Sequence, residues 1–493
     1  MFPDSIFRNF MDWNKKVLKE IVAVAKKEKM PIFLVGGAVR DMLLDREQKK
    51  DWDFVVVGSG LFFAKALDEK MKQAGSLVEF PDFDTARYIL GEGEEKIELE
   101  FAGARSEVYE EKSRKPKVSP TTLQTDLSRR DFTVNAMAIP TEIMLKKITP
   151  TILKKNIIDP FDGQLDLKEK VLKTPLDPDN TFSEDPLRML RAVRFASQLN
   201  FSIEKKVLES INKNCQRLKI ISAERIKEEL FKLLSTKEPS IGLILMFHTG
   251  LMDMVLPEVS KLDGVEEVYG HQHKNNLVHT FKVVDNVALY SDNTLLRFAA
   301  LLHDIGKPGT KKFIPKTGWT FNQHEHLGRK MAYDICRRLK MSKEETKFVT
   351  KIVRWHQHPI ALMDTGVTDS AVRRLIVGLG DELPELLILG RCDITTGNPN
   401  KKEQRLKNYD NLEKRIVEVL EIDKMRAFQS PVRGDEIMEA CGLKPGPTVG
   451  KIKKDIEEAI LDGKIGNNYE EAKEYFDSIK DGYLKKTEEW EHI

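Results

Sequence analysis

At 493 residues with 41% hydrophobic side chains, the chain is too long for one ordinary core and apolar enough to build roughly two to four domains. A net charge of +2 is uninformative about nucleic acid, and Cys215, Cys336, Cys392 and Cys441 lack the Cys-x-x-Cys spacing of a thiolate zinc site, so reduced thiols are expected. No run of about eighteen apolar residues offers a membrane span, and Met1-Phe2-Pro3-Asp4 carries an early acid where a signal peptide would be basic and then apolar. A cytoplasmic protein is the expectation.

The first informative stretch is Ile32-Phe33-Leu34-Val35, a short buried strand, followed by a Gly36-Gly37 turn and a helix over Ala38 to Leu44. Glycine lets the backbone approach a phosphate, the helix start offers free N–H groups, and Arg40 adds a charged donor. Asp51-Trp52-Asp53 then opens a second strand that continues through Phe54-Val55-Val56-Val57. Side chains alternate along a strand, so Asp51 and Asp53 share one face while Trp52 turns to the other. Such a pair can hold two Mg2+ ions roughly 3.5–4 Å apart for an in-line displacement at phosphorus. Alone, Asp-x-Asp is commonly a solvated strand edge. In this order, strand, Gly-Gly, helix and acidic strand, it resembles the head domain of the DNA polymerase β nucleotidyltransferase superfamily.

Lys96 to Phe101 alternates polar and apolar residues, which places Glu98 and Glu100 on one strand face, either completing the acidic site or standing solvated. Ser106-Glu107-Val108-Tyr109 with Lys112, Arg114, Lys115, Pro116 and Lys117 reads as a mobile basic loop able to close over substrate. In Arg129-Arg130-Asp131, Arg130 is a candidate for a triphosphate, and Asp131 for orienting it or a sugar hydroxyl.

Ser183-Glu184-Asp185-Pro186-Leu187-Arg188 combines a capping residue, early acids and a first-turn proline, the signature of a helix N-terminus. Asp185 and Arg188 lie three apart, close enough to address one ligand edge. A carboxylate accepts from the exocyclic amine of cytosine or adenine while a guanidinium donates to the adjacent ring nitrogen, worth about 1–3 kcal/mol of discrimination. An ordinary salt bridge is the alternative. Residues 186–220 hold eight Lys or Arg against two acids, which fits either a solvated face or a phosphate-backbone contact.

Taken together, Gly36-Gly37-Ala38-Val39-Arg40-Asp41, Asp51-Trp52-Asp53, Arg129-Arg130-Asp131, Asp159-Pro160-Phe161-Asp162-Gly163, Glu184 to Arg188 with Arg191-Ala192-Val193-Arg194-Phe195, and Ser222-Ala223-Glu224-Arg225-Ile226 resemble the ordered motifs of class II CCA-adding tRNA nucleotidyltransferases. The resemblance spans about residues 30–235. It implies Asp51 and Asp53 as Mg2+ ligands; Gly36, Gly37, Arg40, Arg130, Asp131, Asp185, Arg188, Arg191 and Arg194 as nucleotide-binding residues; and template-free addition of C, C and A to tRNA. Leu99-Glu100-Phe101 with Arg105 resembles the family's acidic strand, which favours Glu100 over Glu98 as a catalytic acid. Glu224 and Arg225 resemble helix-bracing residues of the neck. Trp52 departs from the smaller apolar residue usual there, with consequences for packing alone.

Eight of the ten histidines fall between His271 and His358. His279, the adjacent pair His303-Asp304, and Asp393 offer nitrogen and oxygen ligands suited to a borderline divalent ion, and His324 and His356 extend the set toward a second. The pattern resembles the HD phosphohydrolase domain, which implies hydrolysis of phosphoesters by a metal-activated water. His271, His273, His326 and His358 read as solvated or capping residues. A plausible task is to trim a 3′-phosphate or a 2′,3′-cyclic phosphate from damaged RNA ends.

From Gly442-Leu443-Lys444-Pro445-Gly446-Pro447 a break precedes helical residues 449–461, resembling the family's C-terminal region that contacts the tRNA elbow. The expected fold is an α/β head of DNA polymerase β nucleotidyltransferase type (1–150), then an all-α neck (151–240), HD domain (260–400) and tail (401–493). Expected partners are tRNA, CTP and ATP, with no membrane and no DNA. Rival readings are an A-adding or CC-adding specialist, a bacterial poly(A) polymerase, or an HD phosphohydrolase with a non-catalytic RNA-binding head. In the family a loop in the position of Arg105 to Lys117 serves the switch to A, which argues against a CC-only enzyme.

Overall fold

The computed structural model describes residues 4–46, 50–93, 96–108, 117–146, 149–265, 267–268, 271–272, 275–315, 317–363, 368–423, 430–486 and 490. The chain forms two compact units, Met1–Pro257 and Glu258–Ile493.

In the first unit, α1 (Asp4–Glu28) buries Val17, Leu18, Ile21, Val22 and Val24. There follow β1 (Ile32–Val35), α2 (Gly37–Leu43), β2 (Asp51–Val56), α3 (Gly60–Lys70), β3 (Ser76–Phe80), β4 (Thr85–Leu90) and β5 (Ile97–Gly103). A hairpin of β6 (Arg105–Val108) and β7 (Lys117–Pro120), then α4 (Leu123–Ser128) and β8 (Ala138–Pro140), complete the head. The main sheet has six strands in the order β3-β4-β5-β2-β1-β8. It is mixed, with β2 and β5 parallel and the other neighbours antiparallel. Period-two alternation decides what each face does. Phe54 stacks on Phe101 at 5.2 Å and Phe63 of α3 packs 5.3 Å from Phe101, so α3 seals one face. Asp51 and Asp53 emerge from the other, and Trp52, 3% exposed, lies on the sealed side.

Two expectations change in detail. The helix after the Gly-Gly turn has seven residues, about two turns, so little macrodipole accumulates there. The stretch read as a loop begins and ends as the paired arms of β6 and β7, while Tyr109, Lys112, Arg114, Lys115 and Pro116 lie outside the described residues.

The rest of this unit is α5 (Pro150–Asn156), α6 (Gly163–Glu169), α7 (Pro178–Glu184), α8 (Leu187–Leu199), α9 (Lys205–Asn214), α10 (Ala223–Leu234), α11 (Pro239–His248) and α12 (Leu251–Val255). It is not wholly helical, because Val171–Leu172 pairs in parallel with Ser202–Ile203. Packing of α8 against α10 and α11 makes it the central helix of this part. The cap of α8 also differs from expectation. Ser183 sits in the last turn of α7, and it is the Asp185 carboxylate that accepts from the Leu187 N–H at 3.2 Å.

The chain passes through α13 (Pro257–Ser260) into the second unit, which contains α14 (Asn276–Tyr290), α15 (Thr294–Leu302), α16 (Lys307–Thr310), α17 (His324–Arg338), α18 (Lys343–Trp355), α19 (His358–Leu362), α20 (Asp369–Leu379), α21 (Leu383–Cys392) and α22 (Pro399–Asp423). Asn275 caps α14, Asn293 caps α15, and Ser342 with Glu345 forms a capping box on α18. Finally α23 (Gly434–Cys441), α24 (Pro447–Leu461) and α25 (Tyr469–Leu484) enclose Val432, Ile437, Ile452, Ile456 and Phe476. Among the described residues, no helix is long and apolar enough to cross a membrane.

Candidate active site and metal centre

The parallel pairing of β2 with β5 sets Asp51 opposite Glu98 and Asp53 opposite Glu100, so four carboxylates occupy one patch of the open face. Asp53 is open to water above yet ringed by protein below. Lost hydration, with Glu100 and Asp51 beside it, pushes its carboxyl up to about 6 despite the opposing charge of Arg130 and Arg191. A carboxyl raised by lost hydration and by like charges would gain from a bound cation. Glu100 stands in register beside Asp53 on the same face.

A cavity of about 270 Å³ adjoins this patch, lined among others by Asp53, Glu100, Arg130, Asp131, Asp185, Arg188 and Arg191. Gly36, at φ 73°, is needed there: a Cβ would lie 3.2 Å from Arg130 Nη1 and 3.5 Å from the Asp53 carboxylate. Arg130 is held by Asp126 at 3.4 Å, while its Nε is buried and has no partner among the described residues. Asp126 is fully buried, accepts from Arg129 Nε at 3.1 Å, and also accepts from the Arg105 N–H at 3.3 Å. It thereby ties the start of β6 to the two arginines.

Asp131 does not orient Arg130 and has no oxygen to spare for a sugar hydroxyl. One oxygen accepts from Asn135 at 3.0 Å and from the Phe132 N–H, the other from Arg191 at 2.8 and 2.6 Å. Burial alone would raise this carboxyl, but Arg191 and Asn135 prevail and hold it down to about 2. Arg188 reaches the cavity while donating to the Arg129 carbonyl at 2.5 Å. Arg40 and Arg194 do not line it. Arg40 is 4% exposed and donates to Asp41 and to Asn135 Oδ1, and Arg194 is bound to Glu229 at 2.6 Å and Gln198 at 2.8 Å. Both guanidiniums are consumed in bracing the arginines and acids that do line the cavity. Gly37 lies against Arg40, so it shapes the turn at one remove.

Arg225 was expected to brace a helix, yet it lines the cavity. The brace is Glu229, one turn further along α10 and 4% exposed, which holds Arg194 and lies 3.7 Å from Arg191. Its signal in the sequence was helical spacing: Glu229 follows Arg225 by four, on the same face of α10.

In the second unit all six sequence-identified ligands converge. His279, His303 and Asp393 form one group and Asp304, His324 and His356 another, with ligand atoms within 4.8 Å of one another in each. Asp304 bridges the two, since its oxygens lie 3.3 Å from His303 Nε2 and 3.3 Å from His324 Nε2. Five of the six residues occupy helix ends: His303 and Asp304 after α15, His324 opening α17, His356 closing α18 and Asp393 closing α21. The ring orientation follows from local bonds. His303, His324 and His356 each place Nδ1 2.7–2.8 Å from the carbonyl three residues back, at Ala300, Phe321 and Val353. A carbonyl only accepts, so Nδ1 carries the proton and Nε2 faces the cluster. His279 places Nδ1 2.7 Å from Thr395 Oγ1, a hydroxyl that can accept or donate, so this bond orients the ring without fixing its proton. His303 Nε2 is buried without a well-formed hydrogen bond. Burial opposes charge on His303, but Asp304 and Asp393 raise it to about 10; burial and the neighbouring imidazoles lower His356 to about 3. The imidazole nitrogens and carboxylate oxygens gathered here make a donor set that suits a borderline divalent ion.

The remaining histidines are less idle than expected where they are described. His326 Nε2 lies 2.7 Å from Arg354, and His358 packs on Trp355 with ring centroids 4.3 Å apart. His273 lies outside the described residues, and His271 falls in a two-residue strand.

Residues 32–173 match the Poly A polymerase head domain, 200–262 the probable RNA and SrmB-binding site of polymerase A, and 276–417 the HD domain. An A-adding tRNA nucleotidyltransferase of Deinococcus radiodurans is 29% identical over 448 residues, covering 89% of this chain and 93% of that protein. A CC-adding tRNA nucleotidyltransferase of Thermus thermophilus is 30% identical over 455 residues, covering 90% and 92%. This chain belongs to the tRNA nucleotidyltransferase family. Its fold agrees with that of a Bacillus stearothermophilus CCA-adding enzyme in complex with CTP, at a TM-score of 0.65 and 21% identity over 95% of this chain and 98% of that one. As a family member it is an enzyme with a polymerase β-type head, and both its head and its HD domain are of classes that use divalent metals.

Proposed function

We propose that this enzyme adds C, C and A, without a template, to tRNA 3′ ends, using CTP and ATP. The observation that carries the reading is Asp53 in register with Glu100 beside a cavity that also receives Asp185 and Arg188. Asp51, Asp53 and Glu100 present hard oxygen ligands, which suit Mg2+. Two such ions, when bound, supply activation of an attacking hydroxyl and stabilisation of the leaving pyrophosphate.

The chain's own residues do the rest. Arg130, with Gly36 giving close backbone approach, draws the triphosphate. Arg191, fixed by Asp131 and Glu229, adds positive charge without moving. Asp185 accepts from the amine of cytosine or adenine and Arg188 donates to the ring nitrogen, so uracil and guanine meet the wrong partner. Arg40 and Arg194 position this set from behind.

For the second centre we infer an accessory phosphohydrolase that acts on RNA 3′-phosphates or 2′,3′-cyclic phosphates. His279, His303, Asp393, Asp304, His324 and His356 would hold its divalent ions. We assign the head to 1–150, the neck to 151–240, the HD domain to 260–400 and a tRNA-contacting tail to 401–493, in a cytoplasmic enzyme with no DNA partner.

A tRNA ending at its discriminator base, offered CTP and ATP separately and together, tests the function. Full addition predicts two residues from CTP alone and three with both. A single-specificity enzyme is the second reading. It is favoured by the A-adding and CC-adding relatives, which align over 89% and 90% of the chain. That reading predicts extension by C alone or by A alone.

A further inference from the structure

We propose that Arg87 and the sheet edge beyond it form the subsite for the last nucleotides of the RNA acceptor; the inference rests on the function proposed above. A single cross-strand row runs from Val35 of β1 through Asp53 of β2, Glu100 of β5 and Arg87 of β4 to Val78 of β3. At one end, next to Val35, Gly36 and Arg130 close on Asp53. In-line displacement places the attacking and leaving oxygens on opposite sides of the phosphorus. With the pyrophosphate drawn toward Arg130, the acceptor hydroxyl arrives from the Glu100 side of the row.

The next side chain on that side is Arg87, about 10 Å from Asp53 across two strand spacings. It stands outside the nucleotide cavity, its side chain 42% exposed, with Nη2 3.2 Å from Glu100 and Nη1 3.5 Å from Glu98. Beyond it the same face carries Val78 at 41% and Phe80 at 38% exposure, on the edge strand β3. The opposite face of that strand is engaged, since Glu79 pairs with Lys65 of α3 at 2.9 Å. A half-exposed guanidinium followed by an uncovered aromatic is the chemistry that takes a single-stranded end: a phosphodiester on the arginine, a base on the ring. Its continuity with the carboxylate row commits the surface to the acceptor RNA, because an acceptor hydroxyl at Asp53 leaves its preceding nucleotides on that side.

Steady-state extension of tRNA by Arg87→Ala, Arg87→Lys and Phe80→Ser tests the subsite at several salt concentrations. Arg87→Ala is expected to lower kcat/KM for tRNA about tenfold and to reduce the slope of its logarithm against log[salt] by about 0.7, one phosphate contact on a single strand. KM for CTP and the Mg2+ concentration for half-activity should stay within about twofold, and Arg87→Lys should restore most of the loss. Phe80→Ser should cost about threefold with the salt slope unchanged. Unchanged tRNA kinetics and slope in Arg87→Ala overturn the proposal. So does an effect confined to Mg2+ dependence, which would leave Arg87 only as a partner of Glu100. A parent chain that incorporates no nucleotide defeats the proposed function itself, and the subsite with it.

Discussion

The carboxylate patch of the head and the histidine cluster of the second unit are both candidate cation sites, and they are assembled in different ways. The head offers Asp51, Asp53 and Glu100 on an open sheet face, candidate oxygen ligands aligned by strand register, with Glu100 bonded to Arg87. The cluster offers six residues converging from five helices, with four imidazoles locked by hydrogen bonds through Nδ1. An open oxygen platform leaves coordination positions for substrate, as Mg2+ chemistry on phosphates requires. A buried nitrogen and oxygen cluster is preassembled, and suits a more tightly held ion.

The sharpest way to break this contrast is Asp53→Ala. Removing the central acid should lower CMP incorporation on the order of a thousandfold, a loss of the size seen when a main electrostatic stabiliser is deleted. Incorporation surviving within tenfold would contradict the assignment. Asp131→Asn probes the arginine brace behind the cavity. The folded carboxyl lies near 2, below its unfolded value of 3.8, so its stabilisation is complete above about pH 4 and is lost as pH falls through about 2. Denaturant unfolding should show about 2 kcal/mol lost at pH 7 in the variant, with the difference narrowing below pH 4. Thr395→Val tests the preassembly of the cluster. Freed from its partner, His279 should cost about tenfold in metal affinity by competition with a chelator, with CMP incorporation unmoved. Arg188→Ala should relax discrimination of CTP over UTP by about tenfold while slowing incorporation less.

The parts most legible in the sequence were those whose chemistry is local. Alternation along Asp51-Trp52-Asp53 assigned the two faces, and the clustering of histidines gathered all six metal-ligand candidates. The partners of those residues across the fold were harder to read. Nothing in Arg40 or Arg194 as single residues reveals that Asn135 or Glu229 will occupy them, because that depends on how α2 meets the turn at residues 133–135 and how α8 meets α10. Asp131 was misread for the same reason: its neighbour Arg130 is adjacent in sequence, whereas its true partner Arg191 is sixty residues away. Arg87 was not noticed at all, since only the register of β4 against β5 brings it to Glu100.

The claim that these are two independent centres with different tasks is tested most directly by measuring bound metal and CMP incorporation on the same preparations of Asp53→Ala and His279→Ala. The account predicts that Asp53→Ala retains the cluster's metal and loses incorporation, and that His279→Ala loses that metal and retains incorporation. Loss of incorporation with the metal in His279→Ala, or its retention in Asp53→Ala, would contradict it.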